Sequence, residues 1–544
     1  MTPVASLRAA PLGVGRVLAE LLPGRARRLR RAWVGHDRAH IEVRGAHREG
    51  TEPFARRLED ALGRVEGVHW AEVNAVLGRV VVAFDGEQID VDDLVDIVEG
   101  VEEAHELHEE AFPAERPEHP GDAEPLHRQV ASLAADALGL GLSSIGRALG
   151  RGPLTEEVAS LLSLVDSTPR LREQAERRLG TATADLLLAT ANAVSQGIAQ
   201  GPLGLLVDAT HRLAQVGEIT ARRVVWHARE PELHGQPSDE RTAPLSLAPR
   251  PVPMPAGPVE RYGDRAAAAA MLGAATTWIA TRNHNDAVAA LVSGTPKAAR
   301  LTREVFASTL GRLLWRRGIV PLDATALRRL DRVDTVVVDA PVLMTGRAAV
   351  GAIEPTGEAV ERLDDLRGHA AALLDPHDPH AVRRAGGWVL GPLPEVTAAP
   401  TPAIRAAARR VRRPGGQVLG LTNGHRLVAV LGTEPELDGL AGELLTAAAG
   451  AGTLLVAGEG SGLADRVGAS GSLPGGTHLA GAVRELQAQG HVVALVAARG
   501  AAALAAADCG IGLLREGFDP PWGADLLCGP GLAQACRILD AAAA

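Results

Sequence analysis

Short apolar runs alternate with alanine-rich helical runs through the C-terminal part of the chain, and this rhythm restricts the fold more than any other feature. VDTVVVD (333–339), QVLGLTN (417–423), RLVAVLG (426–432), TLLVAG (453–458) and HVVALVA (491–497) each fit a buried strand. GLAGELLTAAAG (439–450) and LAGAVRELQAQG (479–490) fit helices between them. Strands separated by helices run parallel and bury both faces, so the pattern predicts a doubly wound parallel α/β sheet. Ligands of such sheets bind at the carboxyl ends of the strands. Asp339 is expected at one of those ends. The same residue also suits a purely structural turn, with Pro341 following it.

A second pattern lies near the front. HIEVRG (40–45), FARRLEDALGRV (54–65), VHWAEVN (68–74), GRVVVAFD (78–85) and VDDLVDIVEGVEEA (91–104) read in the order β-α-β-β-α. That is most of a ferredoxin-like fold. Residues 105–125 are acidic and punctuated by Pro113, Pro117, Pro120 and Pro125. They read as a solvated connector. Weak binding of a divalent cation by His105, His108 and His119 is the lesser alternative.

From residue 126 the composition turns to Ala, Leu and Gly. Residues 129–146, 186–207 and 266–281 approach membrane-helix character, and 186–207 carries no charge over 22 positions. That length suffices for a hydrocarbon core of about 30 Å. Dilution by small and polar residues leaves a packed helical bundle as an equal reading. Arginines at 222, 223, 300, 303, 312, 316 and 317 would place the flanks of these segments on the cytoplasmic side. Residues 229–263 hold eight prolines and read as a connector.

Composition removes several function classes. A net charge of −10, with 22% charged and 46% hydrophobic residues, excludes a disordered chain and a nucleic-acid binder working through overall charge. Tyr262 is the only tyrosine, so base-stacking platforms are not expected. Lys297 is the only lysine, which excludes chemistry that needs lysine at several places. Cys509, Cys528 and Cys536 form no CxxC pair and no disulfide framework, which fits domains facing the cytoplasm. Arg25, Arg27, Arg28, Arg30 and Arg31 follow a short apolar stretch, unlike a signal peptide. They fit a solvated helix face or a patch against anionic lipid.

These pieces stand in a recognisable order. RRLDRVDTVVVDAPVLMTG (328–346) resembles the phosphorylation segment of P-type cation-transporting ATPases, where a strand ends in DKTGT and its Asp accepts phosphate from ATP. Asp339 falls on that Asp. GTPKAAR (294–300) resembles the proline-containing ion-site motif of the family's fourth membrane helix, with Thr295, Pro296 and Lys297 in its place. LLVAGEGSGLADRVGA (454–469) resembles the TGD segment, with Glu459 at the acid. HVVALVAARGAAALAAADCGIGL (491–513) resembles the hinge segment, with Asp508 near its end. The front pattern is similar to the heavy-metal-associated domain of metal pumps. There two thiolates of a CxxC loop hold a soft cation; here the loop RGAHREGT (44–51) has no cysteine.

The resemblance implies a haloacid-dehalogenase-like C-terminal sheet, a helical membrane-type region and an N-terminal ferredoxin-like domain. Along the chain it implies a basic segment at 1–39, the metal-domain-like fold at 40–104 and an acidic linker at 105–125. Helical regions follow at 126–228 and 264–318, the latter bearing the Thr-Pro-Lys motif, with a Pro-rich linker at 229–263 in place of the actuator domain. A phosphorylation-type domain fills 319–544, its nucleotide-domain insert reduced to about 347–415.

Catalytic identity departs from the family. Phosphoryl transfer to a carboxylate needs a nucleophilic Asp, a cation on the transferred oxygens, a Mg²⁺ site and a nucleotide cradle. Ala340, Pro341 and Val342 replace the Lys, Thr and Gly after the nucleophile, and Ala497, Ala498 and Arg499 replace the Mg²⁺-holding segment. Asp378, Pro379 and His380 are a faint match to the nucleotide-binding HP motif. Lys297 sets a fixed positive charge where a cation would bind, paired with Asp286 or Glu304 or snorkelling at a helix end. The expected function is therefore a membrane protein of the cation-transporting ATPase kind that has lost catalysis and acts structurally or in regulation. The alternatives are a divergent active pump or phosphatase using Asp339, and a soluble helical scaffold with a ligand-binding α/β domain. Mg²⁺ and ATP are expected only if the family activity survives. Membrane lipid and a companion pump half are the expected partners; nucleic acid is not.

Overall fold

The computed structural model describes residues 30–134 and 209–543, apart from residues 36, 49, 113–117, 235–242, 246–247, 284–285, 288–289, 291–296, 357–361, 398–399, 414–415 and 459. The chain divides into two compact units, one closing at Arg328 and the other made of Leu247–Pro255 with Arg329 onward.

The first unit opens with an antiparallel sheet. Strands β1 (Ala32–Val34), β2 (Arg38–Glu42), β3 (Val68–Asn74) and β4 (Arg79–Phe84) lie in the order β1-β2-β4-β3. Helices α1 (Glu52–Gly63) and α2 (Val91–Ala104) complete the β-α-β-β-α pattern read from the sequence. Phe54, Leu58 and Leu62 of α1 and Leu94 and Val98 of α2 recur at helical spacing and meet the sheet in one core. Each such leucine, fully withdrawn from water, contributes about 1.5–3 kcal/mol. Asp90 and Asp93 close a capping box at the start of α2.

Strand β1 was not expected. It lies upstream of the pattern, within the segment read as a basic tail, and closes the sheet edge beside β2. Arg79 beneath it lays its guanidinium over Trp33, 4.4 Å from the ring centroid. Glu102, with no exposed surface, gathers the same end of the domain. Its carboxylate accepts from Arg30 Nη2 at 2.6 Å, Arg44 Nη1 at 2.8 Å and the Arg44 amide at 2.9 Å.

The rest of this unit is helical, with α3 (209–233), α4 (Pro258–Thr281) and α5 (Lys297–Trp315). Among the described residues no helix is long and apolar enough to cross a membrane. The candidate span 266–281 lies inside α4 and falls short because its uncharged run is bounded by Asp264 and Arg265 before it and Arg282 after it, too short for a crossing of about 20 residues. The candidate 186–207, and 129–146 beyond residue 134, lie outside the described residues. The Pro-rich connector is shorter than expected, since α3 runs into its start and α4 begins at Pro258.

The second unit holds a parallel sheet. Its first strand is β5 (Thr335–Asp339), buried throughout. An antiparallel sheet follows at once: β6 (Met344–Pro355), β7 (Arg383–Ala385), β8 (Trp388–Pro392), β9 (Val418–Asn423) and β10 (Arg426–Leu437), in the order β6-β10-β9-β8-β7. The chain then returns through α6 (Ala441–Ala451), β11 (Thr453–Ala457), β12 (Gly471–Leu473), α7 (Leu479–Ala488), β13 (Val493–Ala497), α8 (Ala501–Ala506), β14 (Cys509–Leu513), β15 (Leu526–Cys528) and α9 (Ala533–Ala543). These strands stand in the order β12-β11-β5-β13-β14-β15, all pairs parallel. The order reverses at β5, as the doubly wound reading requires.

Two strands assigned to the parallel sheet belong elsewhere. Runs 417–423 and 426–432 form the β9–β10 hairpin of the antiparallel sheet. Parallel neighbours need a crossover of about a dozen residues, and only Gly424 and His425 separate these runs. Gly424 takes φ +61°, the left-handed turn geometry that an Asn-Gly pair signals between two strands.

Glu102→Ala removes the carboxylate that two buried guanidinium groups share. It should destabilise the first unit by about 3–5 kcal/mol, read as a lower urea midpoint for that unit.

Candidate functional site

Burial on both faces fixes where β5 delivers its last residue. Asp339 pairs in register with Ala457 of β11, while Val338 before it pairs with Val496 of β13. The residue therefore sits at the carboxyl ends of the strands, on the side where a ligand crevice opens in this topology. Its side chain is 9% exposed and makes no capping bond to the short helical turn that follows. Burial alone pushes its carboxyl up to about 6.

The surroundings of Asp339 are small and apolar. Ala340 packs with Val456, Leu463 and Ala464. Gly458, just past β11, takes φ +111°, and a Cβ there would stand 3.2 Å from the Ala340 Cβ and 3.8 Å from Asp339 Oδ1. Gly475 comes closer still, since a Cβ on it would meet the Gly458 Cα at 2.6 Å. Glycine backbone is thus folded against the carboxyl where a larger side chain would not fit. At the end of β13 stand Ala497 and Ala498, neither with a polar side chain. Arg499 lays its guanidinium over Phe518 at 3.6 Å from the ring centroid, and Arg515 donates to the Val342 carbonyl at 3.1 Å.

The other residues singled out in the sequence do not gather here. Asp508 precedes β14, so it sits at the amino ends of the parallel strands, the opposite end from Asp339. Its Oδ2 accepts from the Val493 amide at 2.9 Å, and its Oδ1 accepts from Arg250 Nε at 2.9 Å. The neighbouring Gly510 amide donates to Asp525 Oδ2 at 2.7 Å. Thr295, Pro296 and Glu459 lie outside the described residues. Lys297 opens α5. Glu304, one of the partners considered for it, accepts from Arg328 Nε at 2.7 Å, and Arg328 also reaches Glu218 at 3.1 Å. Asp378 accepts from the amide of His380 at 3.1 Å in a local turn. Cys509, Cys528 and Cys536 are buried.

Arg250 carried no sequence signal, because it lies within the proline-rich run. Besides Asp508 it donates to the His491 carbonyl at 2.7 Å and to the Val252 carbonyl. Residues 247–255 are thereby fastened to the α/β unit, where a free connector was expected.

The donor set does not suit Mg²⁺. Magnesium requires several oxygen ligands in near-octahedral order; among the described positions around Asp339, Ala340, Ala457, Gly458, Ala497 and Ala498 carry no oxygen side chain, and Glu459 lies outside them. Among the described residues no group of three His, Cys, Asp or Glu side chains converges to hold a metal ion.

No family model matches the chain. Over 94% of its length it is 30% identical to the probable cation-transporting ATPase I of Mycobacterium tuberculosis (strain H37Rv). Its identity to the protein of the same description in Mycobacterium leprae (strain TN) is 28%, again over 94% of the chain. The chain is thus similar, over nearly all of its own length, to proteins described as probable cation-transporting ATPases. It spans about a third of these curated relatives, 34% of the length of each. Among solved structures, a zinc-transporting PIB-type ATPase is similar to this protein over 76% of the chain and 90% of its own, at 13% identity and a TM-score of 0.37.

Two outcomes follow from this site. A carboxyl held near 6 in the folded chain and near 3.9 when unfolded costs nothing below pH 4, and its cost grows until the pH passes 6. Asp339→Asn should therefore stabilise the α/β unit by about 1–3 kcal/mol at pH 8, with no gain at pH 4, measured as paired urea midpoints. Arg250→Ala leaves the Asp508 carboxylate buried without its guanidinium, and should lower the midpoint of the same unit by about 1.5–3 kcal/mol.

Proposed function

We propose that the chain is a catalytically degenerate member of the cation-transporting ATPase kind, with a structural or regulatory role linked to cation transport. The observation that carries this reading is the setting of Asp339. The residue keeps the strand-end position of a phosphoacceptor, yet burial without a neighbouring cation raises its carboxyl to about 6. A working phosphoacceptor needs the reverse, a carboxylate kept ionised beside positive charge so that it can attack a phosphoryl group.

Each missing electrostatic group matters separately. Removing one preorganised transition-state donor costs about 2.7–4 kcal/mol, or roughly 10²–10³ in rate. Ala340, Pro341, Ala497 and Ala498 stand at several such positions at once. In this reading the alanines and glycine at the described strand ends would offer Mg²⁺ and ATP no side-chain ligand.

The proposed place of the chain is the cell membrane, with the α/β and antiparallel-sheet units on the cytoplasmic side. This rests on the kinship with cation-transporting ATPases and on the uncharged run 186–207. Membrane lipid and a companion pump half are the partners this role calls for.

The full chain, incubated with Mg²⁺ and γ-labelled ATP and then acid-precipitated, should retain no label. Asp339→Asn should leave any background hydrolysis unchanged. Acid-stable label that disappears in Asp339→Asn would overturn the proposal in favour of a divergent pump or phosphatase.

A further inference from the structure

Three histidines from distant parts of the sequence meet inside the first unit, away from Asp339. His40 comes from β2, His119 from the run after α2, and His234 from the end of α3. Their exposures are 1%, 2% and 5%. The His40 ring centroid lies 4.6 Å from that of His119 and 5.2 Å from that of His234. Trp226 of α3 stands 4.8 Å from His119 and 5.5 Å from His40, and Trp33 of β1 stacks on His119 at 4.8 Å and 16°. The sequence had placed His119 in a solvated connector; the structure makes it the centre of a joint.

Hydrogen bonds fix where further protons would go. His119 Nδ1 accepts from the Gly121 amide at 3.1 Å, so the neutral ring carries its proton on Nε2. A second proton must land on Nδ1 and break that bond. His40 Nε2 lies 2.7 Å from Glu230 Oε1, so the neutral ring donates there and a further proton falls to Nδ1.

The charged neighbours are mostly positive. Arg38 and Arg79 face the cluster from the sheet and Arg222 from α3, where Glu118 of the connector answers it at 3.2 Å. Asp122 of the connector accepts from its own chain, the Glu124 amide, at 2.9 Å. Glu230 is the carboxylate against His40, with His227 at 3.9 Å on its other oxygen. Burial first, and these arginines and the neighbouring rings after it, keep His119 and His234 well below their ordinary range and His40 down to about 3.

We propose that the His40–His119–His234 cluster is an acid-operated latch that holds the antiparallel sheet against α3 while its three rings are neutral and releases it when they take up protons. The sign follows from linkage. The released histidines bind protons below about pH 6.5 and the docked ones do not, so docking is complete at neutral pH and weakens as pH falls. For each histidine that gains a proton on release, the released fraction rises up to about tenfold per pH unit.

Amide hydrogen exchange on the full chain, normalised for intrinsic rates from pH 7.5 to 5.0, tests this. Opening at α3 and at β1–β2 should rise more steeply than tenfold per pH unit below about 6.5, while β13 in the α/β unit keeps its protection. The double variant His119→Gln, His234→Gln should flatten that slope to tenfold per unit or less. No change in opening over this range, an unchanged slope in the double variant, or parallel loss of protection at β13 would overturn the latch. Should the double variant fail to fold, C2-hydrogen exchange of the wild-type histidines decides. These three should show no midpoint between pH 6 and 7 in the docked chain, and a midpoint near 6.5 would refute the proposal.

Discussion

Strand β5 is withdrawn from water along its whole length, and it ends in a residue that would rather be solvated. That conflict organises the crevice around it. The neighbouring strands supply Ala457 and Ala497, and Gly458 and Gly475 fold their backbones close above them. Among the described residues these positions bring no charged side chain to the carboxyl, and burial disfavours its ionised form. An active phosphoryl-transfer centre would spread the same charge over a metal, a cation and oriented amides. The contrast turns on chemistry at a few strand ends, since the parallel order of strands that places Asp339 is intact.

Much of this arrangement was legible in the sequence. The apolar runs of β5, β11 and β13, with alanine-rich helices between, forced a parallel sheet and put Asp339 at a carboxyl end. The helical spacing in α1 and α2 identified the core of the front domain. What failed were contacts between residues far apart in sequence. Asp508 stood out only by its place in a motif, and nothing local showed that Arg250, far upstream in the proline-rich run, would meet it. His119 looked solvated because its neighbours are Glu and Pro, yet Trp226, more than a hundred residues later, covers it. The β9–β10 error was different in kind. Asn423 and Gly424 did carry a hairpin signal, and the count of intervening residues should have outweighed the strand-like composition.

The likeness to cation-transporting ATPases and the small apolar side chains around Asp339 concern separate parts of the molecule. The sheet orders, the glycine contacts and the Arg250–Asp508 pair preserve a scaffold. At the strand ends beside Asp339 the chain carries Ala340, Pro341, Ala497 and Ala498. Scaffold and chemistry can drift apart in this way because buried strands are constrained by volume, whereas strand-end side chains are constrained only by what they bind.

Strand β1 has a consequence for where the front domain can be cut. It supplies the hydrogen-bond partners for one margin of β2, a segment whose own residues are nearly all buried. A fragment begun at residue 40, where the sequence pattern starts, would sever β2 and strip that margin bare. The exposed ladder of amides and carbonyls would then invite a neighbouring molecule to pair with it, and self-association would follow from a boundary drawn a few residues too late.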